Sequence, residues 1–290
     1  MALLGVAAPA ASASTLIDRN ATHVRLQVDQ WGRALVTYRA HGKLWHVLAG
    51  GAINARTPDE STPQVEFRVD YSGGWSISHV LPLIWKPFLS ACGPYRGPRL
   101  AWFVTGCTAP DGSHWALQSW RRMLPNHGVT PTGPIQPARE LRLSHWSGDL
   151  PVFTVEQDWA YRRWEDLFGS YTYHGQPMYG FHTTSHGVPL DSYGMLVYLD
   201  TFDSAYGPGW KRENSFVTHN PTGVFCYGFF PHGAHPAGNG TQYRATIVGA
   251  GVLPDQFWHG ASLGAYDEGR DEQANTERRA NFTDRLCSYN

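Results

Sequence analysis

The residue types best suited to chemistry concentrate in one stretch, Tyr171 to Pro236. There His174, His182, His186, His219, His232 and His235 are interleaved with Tyr, Phe and Trp and with few charges. His182-Thr-Thr-Ser-His186 sets two imidazoles four residues apart, and His232-Gly-Ala-His235 sets two more three apart. Either spacing lets two rings meet one ion on a helical or turned backbone. His182, His186, His232 and His235 are therefore the candidate metal set, with zinc or calcium as the candidate ion. No glutamate follows His182, so this is not the HExxH arrangement that carries its own general base. The competing reading is loop histidines bonded to backbone carbonyls, since a chain with 14 histidines brings some close together by composition alone.

Paired carboxylates are the second possible chemistry. Glycoside hydrolysis needs two of them across a fixed gap, one protonated and one ionised. Asp191, Asp200, Asp203 and Glu213 lie in the central stretch, with Glu156, Asp158, Glu165 and Asp166 upstream. Asp200 stands out because it follows the apolar run Leu196-Val197-Tyr198-Leu199. An acid in that position forms a turn or serves as a ligand, and the turn is the expected role.

Aromatic platforms are the third. Sugar faces stack on rings while Asp, Asn or His read hydroxyls at the rim. Tyr171 with Tyr173 and Tyr179 with Phe181 alternate as strand residues do, and Trp210, between Pro208-Gly209 and Lys211-Arg212-Glu213, is expected in an exposed loop. The candidate contact set is Tyr179, Tyr206 and Trp210, with Asp200 as the polar reader. Most aromatics of a β domain are core, and that is the default reading of the others.

What must position these residues follows from composition. The 290 residues carry 23 Lys and Arg against 24 Asp and Glu, a net charge of -1, which gives no overall basic field for nucleic acid. Charged residues make up 16% and aromatics 13%, with 31 Gly, 20 Pro and 12 Trp, a profile of turn-rich β structure. Lysine occurs only as Lys43, Lys86 and Lys211, as in proteins of GC-rich bacteria. Residues 1–14, MALLGVAAPAASAS, read as a signal peptide or flexible leader, with Ala11-Ser12-Ala13 fitting an A-x-A cleavage pattern. No later run is long and apolar enough to span a membrane. Cys92, Cys107, Cys226 and Cys287 suit bridges in an exported protein, Cys92 with Cys107 and Cys226 with Cys287.

Residues 15–290 read as a single all-β domain, with a possible internal boundary at 125–137. His23 to Ala52 reads as a three-stranded meander turning at Trp31-Gly32-Arg33 and His41-Gly42-Lys43. Val65 to Tyr71 is a strand, and Leu100 to Cys107 with His114 to Met123 form a hairpin across Ala109-Pro110-Asp111-Gly112. Further strands are expected at Glu140 to His145, Val152 to Glu156, Met195 to Thr201, Val224 to Phe230 and Tyr243 to Val248. Asp158 is expected to cap a short helix presenting Tyr161, Trp164 and Phe168 on one face and stopped by Gly169. Acids early and Arg278 and Arg279 late predict a solvated C-terminal helix beyond Tyr266.

The resulting class is an antiparallel β-sandwich or jelly roll with one or two short helices and a C-terminal helix. The function expected of it is secreted, non-catalytic recognition of a polysaccharide or cell-envelope component. An extracellular hydrolase, carboxylate- or metal-dependent, and a structural subunit of an extracellular assembly are the alternatives.

Overall fold

The computed structural model describes residues 14–57, 64–75, 84–122, 138–160, 164–178, 181–183, 189–191, 197–204, 207–212, 215–219, 224–229 and 240–280. In chain order the first strands are β1 (Thr15–Arg19), β2 (Thr22–Val28), β3 (Ala34–Ala40), β4 (Lys43–Gly51), β5 (Phe67–Asp70), β6 (Gly93–Pro94), β7 (Phe103–Thr108), β8 (His114–Arg122) and β9 (Ala138–Trp146). There follow β10 (Val152–Ala160), β11 (Trp164–Tyr173), β12 (Gln176–Pro177), β13 (Phe181–Thr183), β14 (Pro189–Asp191), β15 (Val197–Ser204) and β16 (Gly207–Arg212). The last are β17 (Ser215–His219), β18 (Val224–Phe229), β19 (Gln242–Ile247) and β20 (Gln256–Ala261), and helix α1 (Glu268–Ala280) closes the order.

Among the described residues every strand pairing is antiparallel, and the sandwich is built around the sheet β1-β9-β8-β7-β6. Strands β8 and β9 are buried on both faces, because alternate side chains serve two different cores. On one face Trp115, Leu117, Leu141 and Leu143 meet Val36, Tyr38, Val47, Ala49 and Phe67 of the meander sheet β2-β3-β4-β5. On the other, Ala116 and Trp146 join Val197 and Leu199 of β15, Tyr243, Ala245 and Ile247 of β19, and Leu167 and Tyr171 of β11. Fully burying each of the larger apolar side chains stabilises the fold by about 1.5–3 kcal/mol. The outer layers there are the sheets β16-β15-β19-β20 and β10-β11-β18-β17; β13 and β14 pair with each other.

The meander and the β7–β8 hairpin form as their turn chemistry predicts, with Gly32, Gly42 and Gly112 at φ 71°, 73° and 85°, a region that a Cβ disfavours. The expected helix from Asp158 to Gly169 does not form: β10 and β11 make a hairpin there, Asp158 opposite Asp166 and Trp159 opposite Glu165. The helical spacing of Tyr161, Trp164 and Phe168 competes with a period-two series, Leu167, Tyr171 and Tyr173, all buried. Pairing with β18 rewards the second pattern, and the aromatic residues favour the strand. Tyr171 and Tyr173 are thereby core residues.

Helix α1 forms where charge order predicts it, with Asp267 as its cap accepting from the Arg270 amide at 2.9 Å. Asp158 accepts from the Arg270 guanidinium at 2.8 Å, and Trp159 meets Tyr266 edge-on, so the helix is docked onto β10. Cys92 and Cys107 form the expected disulfide, fastening the segment before β6 to β7. The pairing proposed for Cys226 and Cys287 lies outside the described residues. No helix is long and apolar enough to cross a membrane among the described residues.

Candidate functional site

Asp200 lies within β15 and not at its end. The strand's alternation sends Val197 and Leu199 inward and turns Tyr198 and Asp200 to the opposite face of the sheet. The register then sets Asp200 directly opposite Arg212 of β16 on one side and Arg244 of β19 on the other. Its carboxylate pairs with both: Oδ2 accepts a hydrogen bond from Arg244 Nε at 2.8 Å, and Oδ1 lies in ion-pair contact with Arg212 Nε at 2.7 Å. The turn role expected for Asp200 belongs to Asp203, which has φ 52° and accepts from the Gly209 amide at 2.6 Å.

The two guanidiniums are also held by rings. Arg212 lies 4.3 Å from the Tyr198 centroid, and Arg244 lies between Trp210 at 4.2 Å and Trp102 at 5.5 Å. Cation–π contacts of this kind are each worth about 0.5–2 kcal/mol and fix the plane of the guanidinium. Burial lowers the Arg212 pKa, and the adjacent Asp200 opposes that shift. Trp210 is on β16 rather than in an exposed loop; it is half-buried and packs on Phe202, the residue opposite it in the ladder.

These residues form one wall of a cleft of about 190 Å³, whose other wall is the far end of β8 and the start of β9. Trp102, Trp120, Arg121, Arg139, Asp200, Trp210, Arg244 and Thr246 line it. An adjoining groove of about 410 Å³ shares Trp102 and Arg139 with the cleft and runs over Thr22, His23, Val24, Phe103 and Val104. Trp102 and His23 hold φ values of 57° and 53°, strained for residues of that bulk. Trp102 Nε1 is a buried donor with no hydrogen-bond partner among the described residues.

The base of the site is braced by Asp255. It accepts from Trp120 Nε1 at 2.6 Å, the Gly249 amide at 3.0 Å and the Ser14 hydroxyl, while its own amide donates to Gln118 Oε1 at 2.9 Å. On the same face of β9, Glu140 bonds Arg142 at 2.8 Å and Arg19 at 3.3 Å.

Of the contact residues expected from sequence, the structure brings Asp200 and Trp210 into one site. Tyr179 and Tyr206 lie outside the described residues, as do His186, His232, His235 and the side chain of His182. Among the described residues no group of His, Cys, Asp or Glu is arranged to hold a metal. Sequence reasoning missed Trp102, Trp120, Arg121, Arg139 and Arg244. The available signal was register: pairing His114–Met123 with Glu140–His145 sets Arg121 against Arg139 across the Pro125–Pro137 connection.

Among the described residues a single carboxylate lines the cleft, and each of its oxygens faces an arginine. Comparison with known protein families, curated proteins and solved structures found no match to this chain.

Proposed function

We propose that this chain is a secreted, non-catalytic binding protein that recognises a polysaccharide or cell-envelope component in the cleft between Trp102 and Trp210. The observation that carries this reading is the Trp102–Arg244–Trp210 stack, pinned by buried Asp200 at the bottom of a concave surface. Such a wall offers a sugar the indole surface that Arg244 leaves uncovered beside fixed polar donors, with little side-chain entropy left to lose on binding. The adjoining groove extends the surface beyond a single residue of a polymer. Export would place the chain in the compartment in which the Cys92–Cys107 bridge would persist.

A hydrolase working through two carboxylates would need a second acid facing Asp200, and the cleft lining supplies none among the described residues. Affinity electrophoresis against a panel of soluble plant and bacterial polysaccharides tests the reading. Trp210→Ala is expected to weaken retardation by about tenfold or more, as loss of an aromatic anchor does. Trp31→Ala, at an exposed turn away from the cleft, should leave it unchanged. Absence of retardation across the panel, or equal retardation of wild type and Trp210→Ala, would overturn the proposal.

A further inference from the structure

The geometry points to an acidic ligand: resting on the binding reading above, we propose that Arg121 and Arg139 form an oxyanion subsite of the cleft. Arg121 of β8 and Arg139 of β9 are directly opposed in the ladder, both exposed and both lining the cleft. Like charges set opposite each other on neighbouring strands, with Cβ atoms about 5 Å apart, destabilise a sheet. Among the described residues no carboxylate offsets this pair. Asp200 is taken by Arg212 and Arg244, and Glu140 by Arg142 and Arg19. Arg139 Nη1 has a long contact to the Ser119 carbonyl at 3.4 Å. No carboxylate pairs with Arg121 or Arg139 among the described residues, and the connection between their strands, residues 123–137, contains no Asp or Glu at all.

The charge is local. The whole chain has a net charge of -1, whereas the charged residues among the described lining of this cleft are Arg121, Arg139 and Arg244 against Asp200. Two arginines opposed in the ladder and lining one cleft can offer guanidinium forks to the oxygens of a carboxylate or a phosphate, and such bonds are roughly twice as strong as neutral ones. The ligand class is therefore a glycan carrying oxyanions. A uronic-acid polymer and a phosphodiester-linked polyol present the same chemistry from different sources.

The test is calorimetric titration of the full-length protein with polygalacturonate, with its fully methyl-esterified form and with a poly(glycerol phosphate), at low and high salt. Wild type is expected to bind an acidic polymer at least about tenfold more tightly than the neutral ester, with an advantage that shrinks as salt screens the pair. Whether the uronate or the phosphodiester polymer binds identifies the source. Arg121→Gln and Arg139→Gln should abolish that advantage while melting no lower than wild type, since each removes a like-charge contact. Equal binding of acid and ester, still dependent on Trp210, would overturn the oxyanion subsite and leave the glycan site standing. Failure of every polymer to bind would overturn both.

Discussion

Asp200 is a buried anion between two cations, and its energetic weight comes from what its removal would strand. Paired charges in a protein interior often contribute little net stability, but deleting one partner leaves the other uncompensated. Asp200→Asn keeps the side-chain shape and offers Arg212 and Arg244 a neutral amide. It is expected to destabilise the protein by about 3–5 kcal/mol, measured as a shift in the denaturant midpoint; an unchanged midpoint would mean that the two ion pairs contribute nothing. His145 makes a different statement. Burial pushes its pKa down from 6.5 to about 4, and the ring, stacked 3.8 Å from Trp115, bonds the Ala52 carbonyl through Nδ1 and the Ser113 hydroxyl through Nε2, both at 2.9 Å. Nδ1 carries the proton in the neutral ring, because a carbonyl can only accept. The unfolded chain takes up a proton near pH 6.5 and the folded chain only near 4, so the stability tied to the neutral ring is complete above 6.5 and is lost as pH falls between those values. The loss amounts to about 3 kcal/mol at most. Denaturation at pH 7.5 and 4.5 checks this: His145→Gln should lose less stability than wild type between the two, and equal losses would remove His145 as the source.

At the scale of elements, the segment between β19 and β20 is tied to the central sheet by the His145 amide on the Val252 carbonyl, by Gln118 on the Asp255 backbone and by the Asp255 side chain. Asp255 gathers Trp120 from β8, the Gly249 amide from that segment and Ser14 ahead of β1. A buried donor left without its acceptor costs about 1–3 kcal/mol. Asp255→Ala strands several at once and is expected to destabilise by about 3–6 kcal/mol, with a red shift of Trp120 fluorescence as water reaches the indole. A loss below about 1 kcal/mol would show that packing and the bonds from His145, Ser144 and Gln118 hold the segment without the Asp255 carboxylate. The β10–β11 hairpin carries the complementary lesson. A helical pattern over Tyr161–Phe168 runs into an extended one over Leu167–Tyr173, and the neighbouring strand β18 decides between them because its edge is satisfied only by another strand.

For the molecule as a whole, the described fold is a central sheet with a core on each face, and the Cys92–Cys107 bridge closes the loop leading into that sheet. A loop of this length contributes about 3 kcal/mol through the entropy it removes from the unfolded chain. Reduction under native conditions should lower stability by about that amount, read from the denaturant midpoint with and without reductant; no change would mean that native contacts already hold the segment. By itself the sequence determined the all-β class, the meander, the β7–β8 hairpin, the C-terminal helix and one disulfide. Each of these rests on local signals, namely alternation, turn residues, charge order and loop length. It also singled out Asp200 and Trp210, on an acid following an apolar run and a tryptophan among turn residues. What it could not show is that these two share a wall with Trp102, Arg121, Arg139 and Arg244. That meeting depends on register and on the packing of one sheet against another. A one-residue slip in either would turn Asp200 to the core and Arg121 away from the cleft, so only the tertiary structure decides where the site is.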